Sequence, residues 1–284
     1  MAIVTTHGPR RTLGSAGRYA ALGLATLLFL IPFYLLARNA FMTTSEITSP
    51  DWQWVPSRWS LDNLRDLFAD PAVPMARSLV NSVLVSVAQT AGVLVISAMA
   101  GYGLARIPYR WSKLVFGLIT ATLLIPASVT FVPSFVLVST LGWVSSLQGL
   151  IVPGLFQALA TFLFRQFYLN FPKEIEEAAF IDGLGWWGTF WRIVVPNSLG
   201  FGAAIGTITF IGAWNAFLWP LVIGQDQSSW TVQIALSSYM TAQTINLPQL
   251  FTAALVAILP MLLMFLFLQR WIVEGVERTG IAGD

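Results

Sequence analysis

Apolar positions in this chain do not alternate with polar ones but run together. Uncharged stretches occupy 19–37, 78–105, 114–139, 147–164, 198–224 and 248–269, and none of the six holds Asp, Glu, Lys, Arg or His. A run of about 20 such residues crosses about 30 Å of hydrocarbon as a helix, which pairs its own backbone groups where water cannot. The expected fold is all-α, a polytopic membrane protein of about six transmembrane helices. The stretches 78–105 and 114–139 exceed what a span needs, which predicts tilt or a short interfacial helix. The run 19–37 follows Arg10, Arg11 and Arg18 as a signal peptide would. It is too long for that role, and Arg38-Asn39 offers no small-x-small cleavage site, so it reads as a retained first span.

Charge between the runs sets orientation. With the N-terminus inside, only Arg38, Arg58, Arg65 and Arg77 of the 15 Lys and Arg lie outside, and the remaining 11 lie inside. Lys and Arg resist translocation, so both termini are expected in the cytoplasm. The expected organisation is a cytoplasmic tail at 1–18 and a single transmembrane domain over 19–284. That domain has an extracytoplasmic loop at 39–77, a cytoplasmic loop at 165–197 and a cytoplasmic tail at 270–284. Trp52, Trp54, Trp59, Trp143, Trp219 and Trp230 fall where aromatic rings anchor in the headgroup layer.

Composition agrees: 56% hydrophobic and 10% charged residues cannot cover a water-soluble surface. The net charge of +2 comes without a basic cluster interleaved with aromatics, so no nucleic-acid partner is expected. The absence of cysteine excludes disulfides, thiol catalysis and thiolate metal sites.

Charge-free spans narrow the chemistry. An ion-coupled carrier usually keeps an ionisable group near mid-membrane, although sodium coupling through carbonyls alone stays open. An intramembrane enzyme needs a nucleophile and a base, yet the sole histidine, His7, precedes the first span. Hydroxyls and amides beside aromatics suit a neutral polyhydroxyl solute. Asn81, Gln89, Ser128, Thr130, Trp214 and Asn215 are the substrate-path candidates, with Ser82, Ser86, Ser97, Ser134, Gln157, Thr207 and Thr209 among the other polar residues available in the runs. Such side chains serve equally as hydrogen bonds between helices, and Trp214 and Asn215 could instead mark a kink above Pro220.

The loop 165–197 is the most specific feature. Residues 173–182 favour a short amphipathic helix, with apolar Ile175, Ala178, Ala179 and Ile181 beside a charged face. Gly183 and Gly185 permit a sharp turn, and 186–195 reads as a second short helix stopped by Pro196. Gly183-x-Gly185-x-x-Gly188 spells a dinucleotide fingerprint formally, but that motif needs a preceding strand and here a charged helix precedes it. Neither lysine, Lys113 or Lys173, follows a glycine, so the chain has no P-loop and no cofactor or metal site is expected.

Residue by residue the loop resembles the EAA motif of permeases of ABC importers. Glu177-Ala178-Ala179 is followed after three residues by Gly183 and after nine more by Ile193, then Val195 in the usual Leu position and Pro196. A second resemblance lies in 213–221 and 269–275, with Asn81-Ser82 and Ala105-Arg106, which look like the shorter, MalG/UgpE-like permease of carbohydrate-uptake systems. The resemblance implies the type I ABC importer permease fold and a place in the bacterial cytoplasmic membrane. Implied partners are a homologous second permease, two copies of a cytoplasmic ATPase that bind ATP and Mg, and an extracytoplasmic solute-binding protein. It also implies that Glu176, Glu177, Ala178, Ala179, Asp182, Gly183, Ile193 and Pro196 couple the permease to the ATPase, and that the C-terminal tail reaches the ATPase dimer. The substrate implied is a sugar or, alternatively, glycerol 3-phosphate or a glycerophosphodiester. Other functions compatible with the runs alone are an ion-coupled carrier and a membrane scaffold.

Overall fold

The computed structural model describes residues 10–241 and 244–280. Along the chain the α-helices are α1 (Arg10–Ala40), α2 (Thr44–Ile47), α3 (Asp62–Ala69), α4 (Met75–Arg106), α5 (Ser112–Thr122), α6 (Ala127–Thr140), α7 (Leu147–Ile151), α8 (Ala158–Leu169), α9 (Lys173–Ile181), α10 (Trp186–Thr189), α11 (Val195–Asn197), α12 (Leu199–Trp214), α13 (Leu218–Ile223), α14 (Val232–Ser237) and α15 (Leu247–Gly280). Among the described residues the only β pairing is an isolated bridge from Met240 to Ile245.

Three helices are long and apolar enough to cross a bilayer alone, over Gly17–Ala40, Met75–Arg106 and Leu247–Phe267. Up to three further spans are bent pairs. The uncharged stretch 114–139 is two helices, α5 and α6, that meet at 97°. Pro126 explains the break, because it has no N–H to give and sits in extended backbone (φ −59°, ψ 135°) ahead of α6. The stretch 147–164 bends by 43° before α8, where Gln157 takes extended backbone (φ −127°, ψ 112°). The stretch 198–224 is interrupted after Trp214, and α13 resumes at Leu218. The second loop helix also departs from expectation. Pro196 lies inside α11 and does not stop the chain's helical course, because Phe190–Val194 opens into a π turn that absorbs the missing hydrogen bond. The direction changes only afterwards, by 76° into α12.

The chain divides into two compact units, Met1–Ala69 with Tyr239–Val256, and Asp70–Ser238 with Ala257–Asp284. In the first, the loop after α1 is tied down by its own polar groups. Asn63 Nδ2 donates to the carbonyl oxygens of Ala40 and Met42 at 2.9 and 3.0 Å, and Thr252 Oγ1 donates to Ala40 O at 3.0 Å. Trp52, expected as an anchor, lies under the Arg38 guanidinium at 4.1 Å and edge-on to Trp54.

The second unit is built on α4, which packs along α8 and α12. Gly101 allows the close α4–α8 crossing: a Cβ there would sit 2.7 Å from Phe164 Cβ and 2.8 Å from the Arg165 backbone nitrogen. Gly206 of α12 similarly faces Leu94, 3.2 Å from such a Cβ. Small residues matter at such crossings because close packing, not expulsion of water, holds helices together in lipid. The core behind them comprises Val93, Tyr102, Phe164, Tyr168, Phe190 and Ile205 with their neighbours.

Candidate functional site

The loop after α8 forms a compact turned structure. Its first helix, α9, ends in a Schellman motif: Gly183 N–H donates to Phe180 O and Leu184 N–H to Ala179 O, both at 3.0 Å. Gly183 has φ +86°, a left-handed conformation that costs a side chain about 1 kcal/mol or more. The glycine of the spacing is therefore required by the turn itself. Phe180 packs edge-on to Trp186 at 4.7 Å, which holds the start of α10 against the end of α9.

The buried face of α9 is not the one that carries its isoleucines. Glu176 and Ala179, three residues apart, point inward. Ile181 is 86% exposed, Ile175 is 41% exposed, and Ala178 is also exposed. Glu176 Oε2 lies 3.1 Å from Arg106 Nε at the end of α4, with both side chains 6% exposed. Arg106 also donates from a terminal guanidinium nitrogen to Phe171 O. Burial pushes the Glu176 carboxyl above its usual value, and Arg106, Tyr102 and Lys173 pull it back. Of the residues implied to couple to an ATPase, Glu177, Ala178, Asp182, Gly183 and Pro196 are exposed, Ile193 is half-buried, and Glu176 and Ala179 are turned inside. A shallow groove of about 440 Å³ between Glu174, Ile175, Ala178, Asp182, Leu184 and Ile193 runs along this surface.

A second feature lies between the spans. A cavity of about 460 Å³ is lined by Gln89 of α4, Thr130, Phe131 and Ser134 of α6, Gly154 and Gln157, Thr209, Gly212 and Ala213 of α12, and Trp219 of α13. That volume falls in the range of small-molecule pockets, and no charged residue lines it. Gln89 Nε2 donates to Leu150 O at 2.8 Å. Trp219 Nε1 donates to Gly149 O at 3.0 Å, and its ring stands edge-on to Phe131 at 5.8 Å.

Only Gln89 and Thr130 of the six substrate-path candidates line this cavity. Asn81 is buried and donates to Ser228 O and Trp230 O, both at 2.9 Å, while neighbouring Ser82 accepts from Val232 N–H at 2.8 Å. That pair clips the segment 228–232 to α4. Trp214 is 1% exposed and donates to Ala257 O at 3.2 Å. Asn215 caps the end of α12 and accepts from Gln233 at 3.3 Å. Ser128 lines a neighbouring apolar hollow with Phe131, Phe217 and Leu218. Trp219 and Gly154 were not read as site residues: a lone tryptophan at a span end looks like an anchor, and a glycine between runs looks like a turn. Of the C-terminal resemblance, α15 carries the backbone through 269–275 to Gly280, the side chains of 270–275 lie outside the described residues, and so do residues 281–284.

Bent apolar spans around an uncharged polar cavity, with a surface helix seated on a buried ion pair, define a membrane transport component. The chain belongs to the binding-protein-dependent transport system inner membrane component family, whose match covers residues 92–278. It is 32% identical over 260 residues to the sn-glycerol-3-phosphate transport system permease protein UgpE of Yersinia pestis bv. Antiqua, covering 89% of this chain and 92% of that one. It is 30% identical to the arabinooligosaccharides transport system permease protein AraQ of Bacillus subtilis (92% and 93% covered). It is 32% identical to the lactose transport system permease protein LacG of Rhizobium radiobacter (94% and 96% covered). The fold matches a chain in the crystal structure of a bacterial ABC transporter involved in the import of the acidic polysaccharide alginate, with TM-score 0.80 and 17% identity over 95% of this chain and all of that one. The family and the importer fold implied by the loop spacing are thus shown over most of the chain.

Proposed function

We propose that this chain is the permease subunit that carries a neutral sugar or oligosaccharide into the cytoplasm, driven by an ATPase that docks on 173–196. The observation that carries the docking is the outward face of α9. A solvated helix hides its isoleucines and shows its glutamates, but α9 exposes Ile175, Ala178 and Ile181 and buries Glu176. Apolar side chains displayed beside exposed Glu177 and Asp182 suit a protein groove with a basic rim. A homologous permease, a second ATPase copy and a solute-binding protein complete the assembly, and ATP and Mg belong to the ATPases. The docking side faces the cytoplasm, with both termini.

The cavity supports the substrate class. Gln89, Thr130, Ser134, Gln157 and Thr209 offer hydroxyl and amide groups, and Trp219 and Phe131 offer ring surface, as a sugar requires. A buried phosphate is held most firmly by Arg, and the cavity holds no charged residue, only the starts of α6 at Ala127 and α8 at Gln157. Relatives in systems for lactose and arabinooligosaccharides fit this lining better than the glycerol-3-phosphate relative does.

Uptake by the reconstituted importer, with its binding protein and a panel of sugars and glycerophosphodiesters, tests the reading. Saturable uptake of a neutral sugar, abolished by omitting the ATPase and untouched by ionophores, is expected. Uptake without the ATPase, or of phosphodiesters alone, would overturn it.

A further inference from the structure

The buried contact between Arg106 and Glu176 joins two parts of the molecule that the loop spacing does not relate. Glu176 and Glu177 are adjacent on α9 but about 100° apart around its axis, so they point in different directions. Glu177 is exposed; Glu176 meets Arg106 across 3.1 Å in a site from which water is nearly excluded. Arg106 is the last residue of α4 and also donates to Phe171 O, the carbonyl just before Pro172 and the start of α9. One guanidinium therefore holds the helix from its side and the segment that enters it from its end.

In the second unit the other candidate spans are bent pairs, at 97°, 43° and 76°, or α15 with Pro260 inside it. Only α4, among the described helices of that unit, is both long enough to cross alone and free of proline. It carries Gln89 into the polar cavity about 25 Å from Arg106 at about 1.5 Å per residue. A displacement of α9 reaches α4 directly at its end, and an unbroken helix without proline transmits it better than a span broken by a sharp bend. A buried ion pair is a poor source of net stability but a strict constraint on relative position.

We propose that Arg106 and Glu176 are positioning residues that lock α9 to the end of α4, so that α4 is the rod by which movement at the docking helix resets the cavity around Gln89. This deepens the docking reading and rests on it. The pair would set how much solute moves per ATP hydrolysed, not whether the ATPase binds.

The test is the complete importer in proteoliposomes, with solute uptake and ATP hydrolysis measured together. A purely structural loss lowers the amount of active complex and leaves their ratio alone. Arg106→Gln and Glu176→Gln are each expected to lower solute moved per ATP by about tenfold while the ATPase still co-purifies, and Glu176→Asp, which keeps the carboxylate opposite Arg106, to lose clearly less. If the single variants fail to assemble, Arg106→Lys keeps the charge with a shorter reach and is expected to assemble and lose about threefold. An unchanged ratio in an assembled variant overturns the proposal, as does a ratio that falls as far in Glu176→Asp as in Glu176→Gln. Glu177→Lys is the separate control: if it keeps its ATPase, the docking reading fails whatever the ratios show.

Discussion

Gln89 reaches from α4 to the carbonyl oxygen of Leu150 across 2.8 Å, and Gly154 leaves it the room to do so. A Cβ on Gly154 would lie 2.7 Å from Gln89 Nε2 and 2.9 Å from its Cδ. Gly154→Ala is therefore expected to swing Gln89 off Leu150 and change the cavity wall without unfolding a span. Moving this wall amide away from a bound solute is expected to raise the uptake KM roughly threefold to tenfold, the scale of one hydrogen bond. Transport kinetics at matched membrane abundance check this; an unaltered KM would show that Gln89 does not shape the path.

Gly183 and Gly185 stand two residues apart, yet only Gly183 needs to be glycine. Its φ of +86° is left-handed, whereas Gly185 has extended backbone (φ −84°, ψ 176°) with open space where a Cβ would go. Gly183→Ala is expected to cost about 1 kcal/mol in the turn and weaken ATPase retention on an affinity column. Gly185→Ala should be near neutral in the same pull-down.

Asn81 has both its amide contacts inside the chain, at Ser228 and Trp230. Asn81→Ala is expected to destabilise the purified protein by about 1–2 kcal/mol, the scale of polar contacts between membrane helices, and to leave the order of preferred solutes unchanged. Thermal unfolding in detergent and competition uptake measure the two separately. A reordered preference would return Asn81 to the substrate path.

Glu46 is held in place by Ser57 and by the Thr43 capping box, which bring its carboxyl from the ordinary 4.5 down to about 2. A depressed folded value means that the ionised form supports the fold. The contribution is complete above pH 4.5 and disappears as the pH falls towards 2. Hydrogen exchange at the Ser57 amide, which donates to Glu46 at 3.0 Å, should stay slow down to about pH 4.5 relative to its intrinsic rate and lose protection below that. Glu46→Gln should show reduced protection already at neutral pH.

Much of this protein can be read from local order along the chain. Six uncharged runs specify membrane helices because hydrocarbon tolerates nothing else of that length without charge, and their lack of ionisable groups already turns attention to a neutral solute and an external energy source. The spacing from Glu177 to Pro196 specifies a helix, a left-handed glycine and a second helical turn, each a short-range matter. Direction is different, because it depends on a partner far along the chain. Periodicity alone set the isoleucines of α9 beside a charged face without deciding which turns inward, and Arg106, delivered by the distant end of α4, turned it Glu176-inward. Likewise Asn81, Trp214 and Gln89 are equally polar within apolar runs. Only the packing of α4 against Ser228 and Leu150, and of α12 against Ala257, decided which amide or indole closes a helix contact and which is left facing a cavity.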